Sequence, residues 1–262
     1  MFRIVLIATA ALLLAGLARA SMLTTAADRF AGHVSIDGFY DYTGLVHFHT
    51  DYSGDAAGTY AAVAADAEEA GVRFMIATEH ENLDALGDGR EGWYGSTLML
   101  SGVESRRPEG YLLGLDLDAY PVGRDDPTEV FLGSVVDQQG LAILAHADNR
   151  RWAWKGPLDD RVAGMEILDL ADLFYAASLG EKLTAVALLP VNQTAAYLEL
   201  GRSAGSPFGI WDGVGQDRKF VGLYAPDFHQ CLEIINDRCF AFPKARDIMG
   251  LVRNHILTRT PF

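Results

Sequence analysis

The chain has 262 residues, with 35 Asp and Glu against 21 Lys and Arg, for a formal charge of −14. A surface of that sign repels phosphate backbones at long range, which excludes nucleic-acid binders that work through bulk charge. It leaves room for a small phosphate ester held at a metal, where local cations reverse the field.

Residues 1–20 come first in chain order. The stretch MFRIVLIATAALLLAGLARAS has an Arg near its start, an apolar run from Ile4 to Leu17, and Ala18-Arg19-Ala20 before Ser21. That is the pattern of a secretory signal peptide with an A-x-A cleavage site. The run is shorter than the roughly twenty residues that span a bilayer, and no Cys follows it for lipid attachment. The expectation is a periplasmic or secreted protein with no membrane attachment after cleavage. Losing two arginines and no acid takes the mature charge to −16. The remaining length suits one α/β-barrel domain over residues 21–262.

Hydrophobic runs then alternate with helix-like segments, as repeated βα units do. Gly44–His49 (GLVHFH) reads as a strand and Thr59–Ala70 as a helix closed by Gly71. Val72–Thr78 is a second strand and Ser96–Glu104 a third, with Tyr111–Leu115 pairing back across the turn RRPEG. The acidic, glycine-rich stretch Glu79–Gly95 is the longest polar interruption. Pro127–Gln139 reads as a helix with Gly140 as its stop, followed by the strands Leu141–Ala145 and Ala163–Leu168. Helices are expected over Asp172–Leu189 and Asn192–Gly201, and a last clear strand over Lys219–Ala225. Such continuous apolar runs favour strands covered on both faces, in a mainly parallel sheet or barrel. The end ILTRTPF, just after an apparent strand, is abrupt enough to suggest a C-terminal truncation.

The polar residues fall on this map with a pattern. His47 and His49, two apart on one strand, are expected to point to one face. His80 follows Glu79 at the end of the second strand, Glu104 ends the third, His146 follows the next, and Asp227 and His229 follow the last. In parallel α/β folds these C-terminal strand ends converge on one mouth. Five of the seven histidines share that rim. Imidazole and carboxylate together suit zinc, iron or manganese rather than calcium. Six or more ligands imply two or three ions sharing a carboxylate. The cysteines, Cys231 and Cys239, form no CxxC zinc motif and are read as a disulfide or as two buried thiols.

The series HFHTDYSGD, ATEHEN, SGVE, LAHAD and PDFH resembles the PHP (polymerase and histidinol phosphatase) family of metal-dependent phosphoesterases. That family's motifs read H-x-H-T-x-x-S-D-G, T-D-H, G-x-E, A-H-P and D-x-H, and the match runs in order over residues 43–230. The resemblance implies a distorted (β/α)7 TIM-like barrel with two or three divalent ions (Zn, Mn or Fe) at its C-terminal mouth. It implies His47, His49, His80, Glu104, His146, Asp227 and His229 as ligands, with Glu104 as the bridge. The first-loop acid is assigned to Asp55, with Asp51 as the fallback, because Ser53-Gly54-Asp55 departs from the family's Ser-Asp-Gly. Glu79 stands for the usual Asp and is expected to orient His80. Ala147 replaces a common Pro, and Phe228 is expected to pack away from the metals. Glu166 and Asp169, in GMEILDL, fit a G-x-E-x-x-N-like strand, with Glu166 supporting the ligands rather than joining them. His33 and His255 lie outside every motif, as structural or surface groups. Trp152 and Trp154 either wall the mouth or pack a loop.

The activity implied is hydrolysis of a small phosphate ester by a metal-bound hydroxide, with Glu104 at the metals and His229 or His80 giving a proton to the departing alcohol. Arg106, Arg107, Arg150 and Arg151 follow strand ends and are candidates to hold substrate phosphate. Two alternatives stand beside this reading. One is an amidohydrolase-like barrel, weakened because no Lys lies at a strand end. The other is an exported metal-binding module without turnover. Substrate identity and oligomeric state are not legible.

Overall fold

The computed structural model describes residues 38–121, 123–147, 149, 151–201, 207–229, 232–235, 238–240 and 245–261, the side chains of 232–240 excepted. The signal-peptide stretch, His33, Arg150 and both cysteine side chains lie outside the described residues.

The strands are β1 (Tyr40–Val46), β2 (Phe48–His49), β3 (Phe74–His80), β4 (Gly92–Tyr94), β5 (Thr97–Arg107), β6 (Gly110–Leu115), β7 (Leu141–Ala145), β8 (Val162–Asp169), β9 (Val221–Ala225), β10 (Phe228–His229), β11 (Leu232–Ile235), β12 (Arg238–Phe240) and β13 (Asn254–Thr258). The helices are α1 (Tyr60–Glu69), α2 (Asp84–Gly87), α3 (Thr128–Asp137), α4 (Leu170–Ala176), α5 (Leu179–Leu188), α6 (Gln193–Leu200), α7 (Phe208–Gly215) and α8 (Ala245–Met249). Among the described residues no helix is long and apolar enough to cross a membrane.

Residues 39–175 and 205–262 form one compact unit, and 176–204 belong to a second. In the second unit a capping box of Ser178 and Glu181 starts α5, and the Asn192 side chain caps α6. The single helix expected over Asp172–Leu189 is therefore two, because Ser178 offers its hydroxyl to backbone N–H groups and opens a new N-terminus.

In the first unit the main sheet runs β13-β1-β3-β5-β6-β7-β8-β9. Beyond β1 and β9, the short strands β2 and β10 pair in parallel, Phe48 with Phe228 and His49 with His229. That pairing closes a seven-stranded α/β barrel at its C-terminal mouth. At the other end β13 lies antiparallel to β1, and the Asn254 amide bonds both the N–H and the carbonyl of Tyr224 on β9. Within the seven barrel strands β6 breaks the parallel rule, lying antiparallel to both β5 and β7. The turn predicted at RRPEG makes β5 and β6 a hairpin, so β5 runs on to Arg107 and Glu104 sits within it rather than at its end.

Alternation along the strands separates two cores. Leu112 and Leu144 pack with Phe131, Leu132 and Val135 of α3 on the outside of the sheet. Leu113 and Ile143 instead join Val46 and Phe74. Strands β1 and β6 are not neighbours, so that cluster fills the barrel interior. Gly140 does not end α3 through its own backbone; Gln139 takes the left-handed turn, at φ 62°. The need for glycine at 140 is space, since a Cβ there would lie 2.8 Å from the Leu115 carbonyl oxygen.

Candidate metal centre

His47 is where the first motif departs from a plain strand. It separates β1 from β2 with φ at 68°, a left-handed conformation that a non-glycine residue rarely holds. His146 (φ 53°) and Asp227 (φ 39°) do the same just past β7 and β9. Simple alternation of His47 and His49 is therefore not what aims them. At three separate strand ends the chain turns through a costly backbone conformation to swing a side chain into the mouth.

The result is a buried inner group and a more open outer one. His47, His49, Glu104, His146 and Asp227 make the inner group. His47 Nε2 lies 3.5 Å from Glu104 Oε2 and 3.5 Å from Asp227 Oδ1. His49 Nε2 lies 3.5 and 3.3 Å from the same two oxygens, and His146 Nε2 is 3.0 Å from Glu104 Oε1. In the outer group His80 and Glu104 are directly opposed on β3 and β5, with Nδ1 2.8 Å from Oε2. Asp55 Oδ2 sits between the outer imidazoles, 3.0 Å from His80 Nε2 and 3.4 Å from His229 Nε2. Gly54, at φ 82°, turns the loop that brings Asp55 in. Asp51 is exposed, and its backbone N–H bonds the Gly58 carbonyl. The rings of His80 and His229 both lie within 4.3 Å of His49.

The far nitrogen of each inner histidine has its own partner, which sets the tautomer. His47 Nδ1 is 2.5 Å from Glu166 Oε1, and the other oxygen of Glu166 accepts the His146 backbone N–H at 2.8 Å. His146 Nδ1 is 3.0 Å from Asp172 Oδ1, which also accepts from the Asn149 amide. His49 Nδ1 is 2.9 Å from Ser53 Oγ. The Ser53 hydroxyl gives its one proton to Glu79 Oε2, so the imidazole must be the donor. Each Nδ1 therefore carries a proton; the Nε2 atoms of His47 and His49 face Glu104 and Asp227 without a hydrogen-bond partner among the described residues, whereas His146 Nε2 bonds Glu104 Oε1. Ions bound to histidine are commonly supported in this way.

Glu79 thus acts on the first motif. It takes hydrogen bonds from Thr50 N, Thr50 Oγ1 and Ser53, while Ser53 accepts the backbone N–H of His80. The expectation that Glu79 orients the His80 ring is corrected, because the ring nitrogens face Asp55 and Glu104. Ser53, Asp172 and Asn149 were not picked out from the sequence. For Asp172 the signal was the acid spacing of three in GMEILDLAD, where Asp169 ends β8 and accepts the N–H of Asp172.

Charge explains why the arrangement suits cations. His47 Nε2, His49 Nε2 and Asp169 Oδ2 are buried without a hydrogen-bond partner among the described residues, and Glu104 Oε2 faces both of those imidazoles besides its contact with His80. Such atoms are costly to leave unsatisfied. Burial lowers the His49 imidazole to about 4, so it stays neutral and able to coordinate. Burial works against His80 as well, but its bonds to Asp55 and Glu104 outweigh it and raise the group to about 10. Burial together with the nearby Glu166, Asp227 and Asp172 holds Asp169 well above the usual carboxylate range. Five overlapping sets could each hold an ion: His47, His49 and Glu104; His47, His146 and Asp227; His49, His80 and His229; and, deeper, His47, Glu166 and Asp169, and His146, Asp169 and Asp172. Imidazole with carboxylate is the donor chemistry of zinc, iron and manganese.

The remaining candidates separate clearly. Arg107 is buried and bonded to Glu81, Ser105 and the carbonyls of Gly123 and Asp126. Arg106 and Arg151 are exposed beside the mouth. The Trp152 ring lies 5.1 Å from that of His146, whereas Trp154 packs against the outer core. Phe228 is buried and His255 is a surface group paired with Asp41.

No protein-family profile matches the sequence, and no curated relative matches it. Among solved structures it is similar to a two-domain Bacteroides vulgatus protein with an assigned PHP-like metal-dependent phosphoesterase, at 15% identity and TM-score 0.41, covering 61% of this chain and 51% of that one. It is similar to Endonuclease Q in complex with duplex substrate bearing an abasic lesion, at 13% identity and TM-score 0.42, covering 54% and 47%. A Bifidobacterium adolescentis protein assigned as a metal-dependent phosphoesterase follows at 10% identity and TM-score 0.44, covering 79% and 95%. The chain spans about half the length of the first two. A Chromobacterium violaceum protein described as an amidohydrolase is similar as well, at 13% identity and TM-score 0.43, covering 71% and 87%.

Proposed function

We propose that the chain is a metal-dependent hydrolase of small phosphate esters. The observation that carries this is the convergence of His47 Nε2 and His49 Nε2, both buried without a hydrogen-bond partner among the described residues, each 3.5 Å from Glu104 Oε2. Divalent ions bound there lower the pKa of a coordinated water and neutralise charge that builds on phosphoryl oxygens. His47, His49, His146, Glu104 and Asp227 hold them from below, with Asp55, His80 and His229 towards solvent. Glu166, Asp172 and the Ser53–Glu79 pair fix the imidazoles so that no ligand reorganises during turnover.

Access divides the labour among the histidines. The side chains of His80 and His229 are 35% and 22% exposed, while His47 and His49 have no exposure. Only the outer pair can meet a departing alcohol, so proton donation falls to His229 or His80. Among the described residues no lysine reaches the centre, which favours this reading over an amidohydrolase-like site. The signal-peptide pattern of residues 1–20 supports a substrate outside the cytoplasm.

Elemental mass spectrometry of the purified chain, with p-nitrophenyl phosphate and its bis-ester assayed on the same sample, tests the proposal. Two or three equivalents of zinc, iron or manganese, with turnover lost in Glu104→Ala, is the expected result. Less than one equivalent after growth with supplied metals refutes it.

A further inference from the structure

A cavity of about 320 Å³ opens beside the centre, between the β5–β6 turn, the loop around Arg124 and the segment Arg151–Lys155. Its size is that of a small-molecule site. Two of its lining residues also touch the metal centre: the rings of Tyr111 and Trp152 lie 5.4 and 5.1 Å from that of His146. A molecule reacting at the metals therefore has a direct aromatic path into it.

The cavity is cationic in a chain that is strongly anionic. Arg106, Arg124, Arg151 and Lys155 line it and are exposed, with no ion pair to a described residue. Arg107 also lines it but is spent on Glu81. Three acids share its wall, Glu109 bonded to the Thr128 hydroxyl, Asp126 to the Gly123 N–H, and Asp125, so the four cations outnumber them by one. The walls are held in place. Arg107 ties down the carbonyls of Gly123 and Asp126, and the Lys155 N–H bonds the Glu109 carbonyl at 2.7 Å. Unpaired guanidinium and ammonium groups in a fixed recess are suited to carboxylate or phosphate oxygens. The Trp152 and Tyr111 faces suit a flat apolar linker between two charged ends.

We propose that this cavity binds a second anionic group of the substrate, so that the ester cleaved is one whose leaving alcohol carries a carboxylate or another phosphate. This rests on the phosphoesterase reading. Trp152 and Tyr111 set the distance between the two anions, and Arg124 and Lys155 select for the second.

Two measurements on the full chain test it. The first titrates phthalate, an aromatic dianion, and its uncharged dimethyl ester into metal-stripped protein by calorimetry. Phthalate should bind and the diester should not. The double variant Arg124→Gln/Lys155→Gln should weaken phthalate about tenfold, the scale of one charge-assisted hydrogen bond, while Arg73→Gln/Lys219→Gln, the same charge change at exposed positions outside the cavity, should not. The second compares kcat/KM for 2-carboxyphenyl phosphate and phenyl phosphate with manganese supplied. The carboxylated ester should be preferred, and the double variant should lose that preference through KM. No phthalate binding, or binding equal in the double variant, overturns the proposal. Phthalate binding without hydrolysis of either ester leaves the cavity in place and removes the phosphoesterase reading instead.

Discussion

Replacing Glu166 with Gln removes one charge and no volume, at a side chain that never needs to touch a metal. Its carboxylate is 2% exposed and holds two ligands at once, His47 through Nδ1 at 2.5 Å and His146 through its backbone N–H at 2.8 Å. A carboxylate accepts at both oxygens; an amide accepts at only one. If the amide oxygen keeps the His146 N–H, its NH2 faces His47 Nδ1 and drives the imidazole proton to Nε2. That proton then points at Glu104 and Asp227, where the lone pair should be. If the amide turns over, its NH2 opposes the His146 N–H and strains a backbone already at φ 53°. Either way one inner ligand is misaligned, and loss of such a supporting carboxylate costs about 10–100-fold in metal affinity, or about 1.4–2.8 kcal/mol. The assay is competition with a chromophoric chelator for zinc or manganese. Thermal unfolding with and without metal separates weaker binding from a weaker fold, because the variant should lose the increment that metal adds. Affinity within twofold of the parent would refute the tautomer argument.

Three further outcomes are expected. Ser53→Ala removes the hydroxyl shared by His49, Glu79 and the His80 N–H, and should cost about 1–3 kcal/mol by denaturant unfolding; an unchanged midpoint would remove Ser53 from the network. Glu81→Gln leaves the buried Arg107 guanidinium without its counter-charge and should cost about 3 kcal/mol by urea unfolding; a loss under half that would show Arg107 is satisfied by carbonyls alone. Metal binding should release protons at pH 7, because His80 is raised to about 10 in the metal-free protein and must give up its proton to coordinate. Affinity then rises with pH through that range. Calorimetry in buffers of different ionisation enthalpy measures the release, and a value of zero would refute it.

The strand-end motifs were readable because each ligand lies within a few residues of an apolar run whose burial is itself local in sequence. That puts His47, His49, His80, Glu104, His146, Asp227 and His229 on one rim from the sequence alone. It also gives the β5–β6 hairpin through RRPEG, whereas the Ser178 cap that divides Asp172–Leu189 into two helices was not read from the sequence. The strain at His47, His146 and Asp227 was invisible, since nothing in V-H-F or A-H-A marks a left-handed residue.

What sequence alone determined is the inventory: an acidic chain with imidazoles and carboxylates at the ends of strands, sufficient for a divalent-metal centre. What tertiary structure decided is how each donor is set. Glu166 meets His47 across 119 positions of sequence, and Glu79 reaches Thr50 across 29. The antiparallel insertion of β6, the choice of Asp55 over Asp51 beside His80, and the cationic cavity next to His146 all depend on barrel closure. The reason is physical: periodicity and capping act over a few residues, whereas tautomers, burial and shared recesses depend on groups that only the closed barrel brings together.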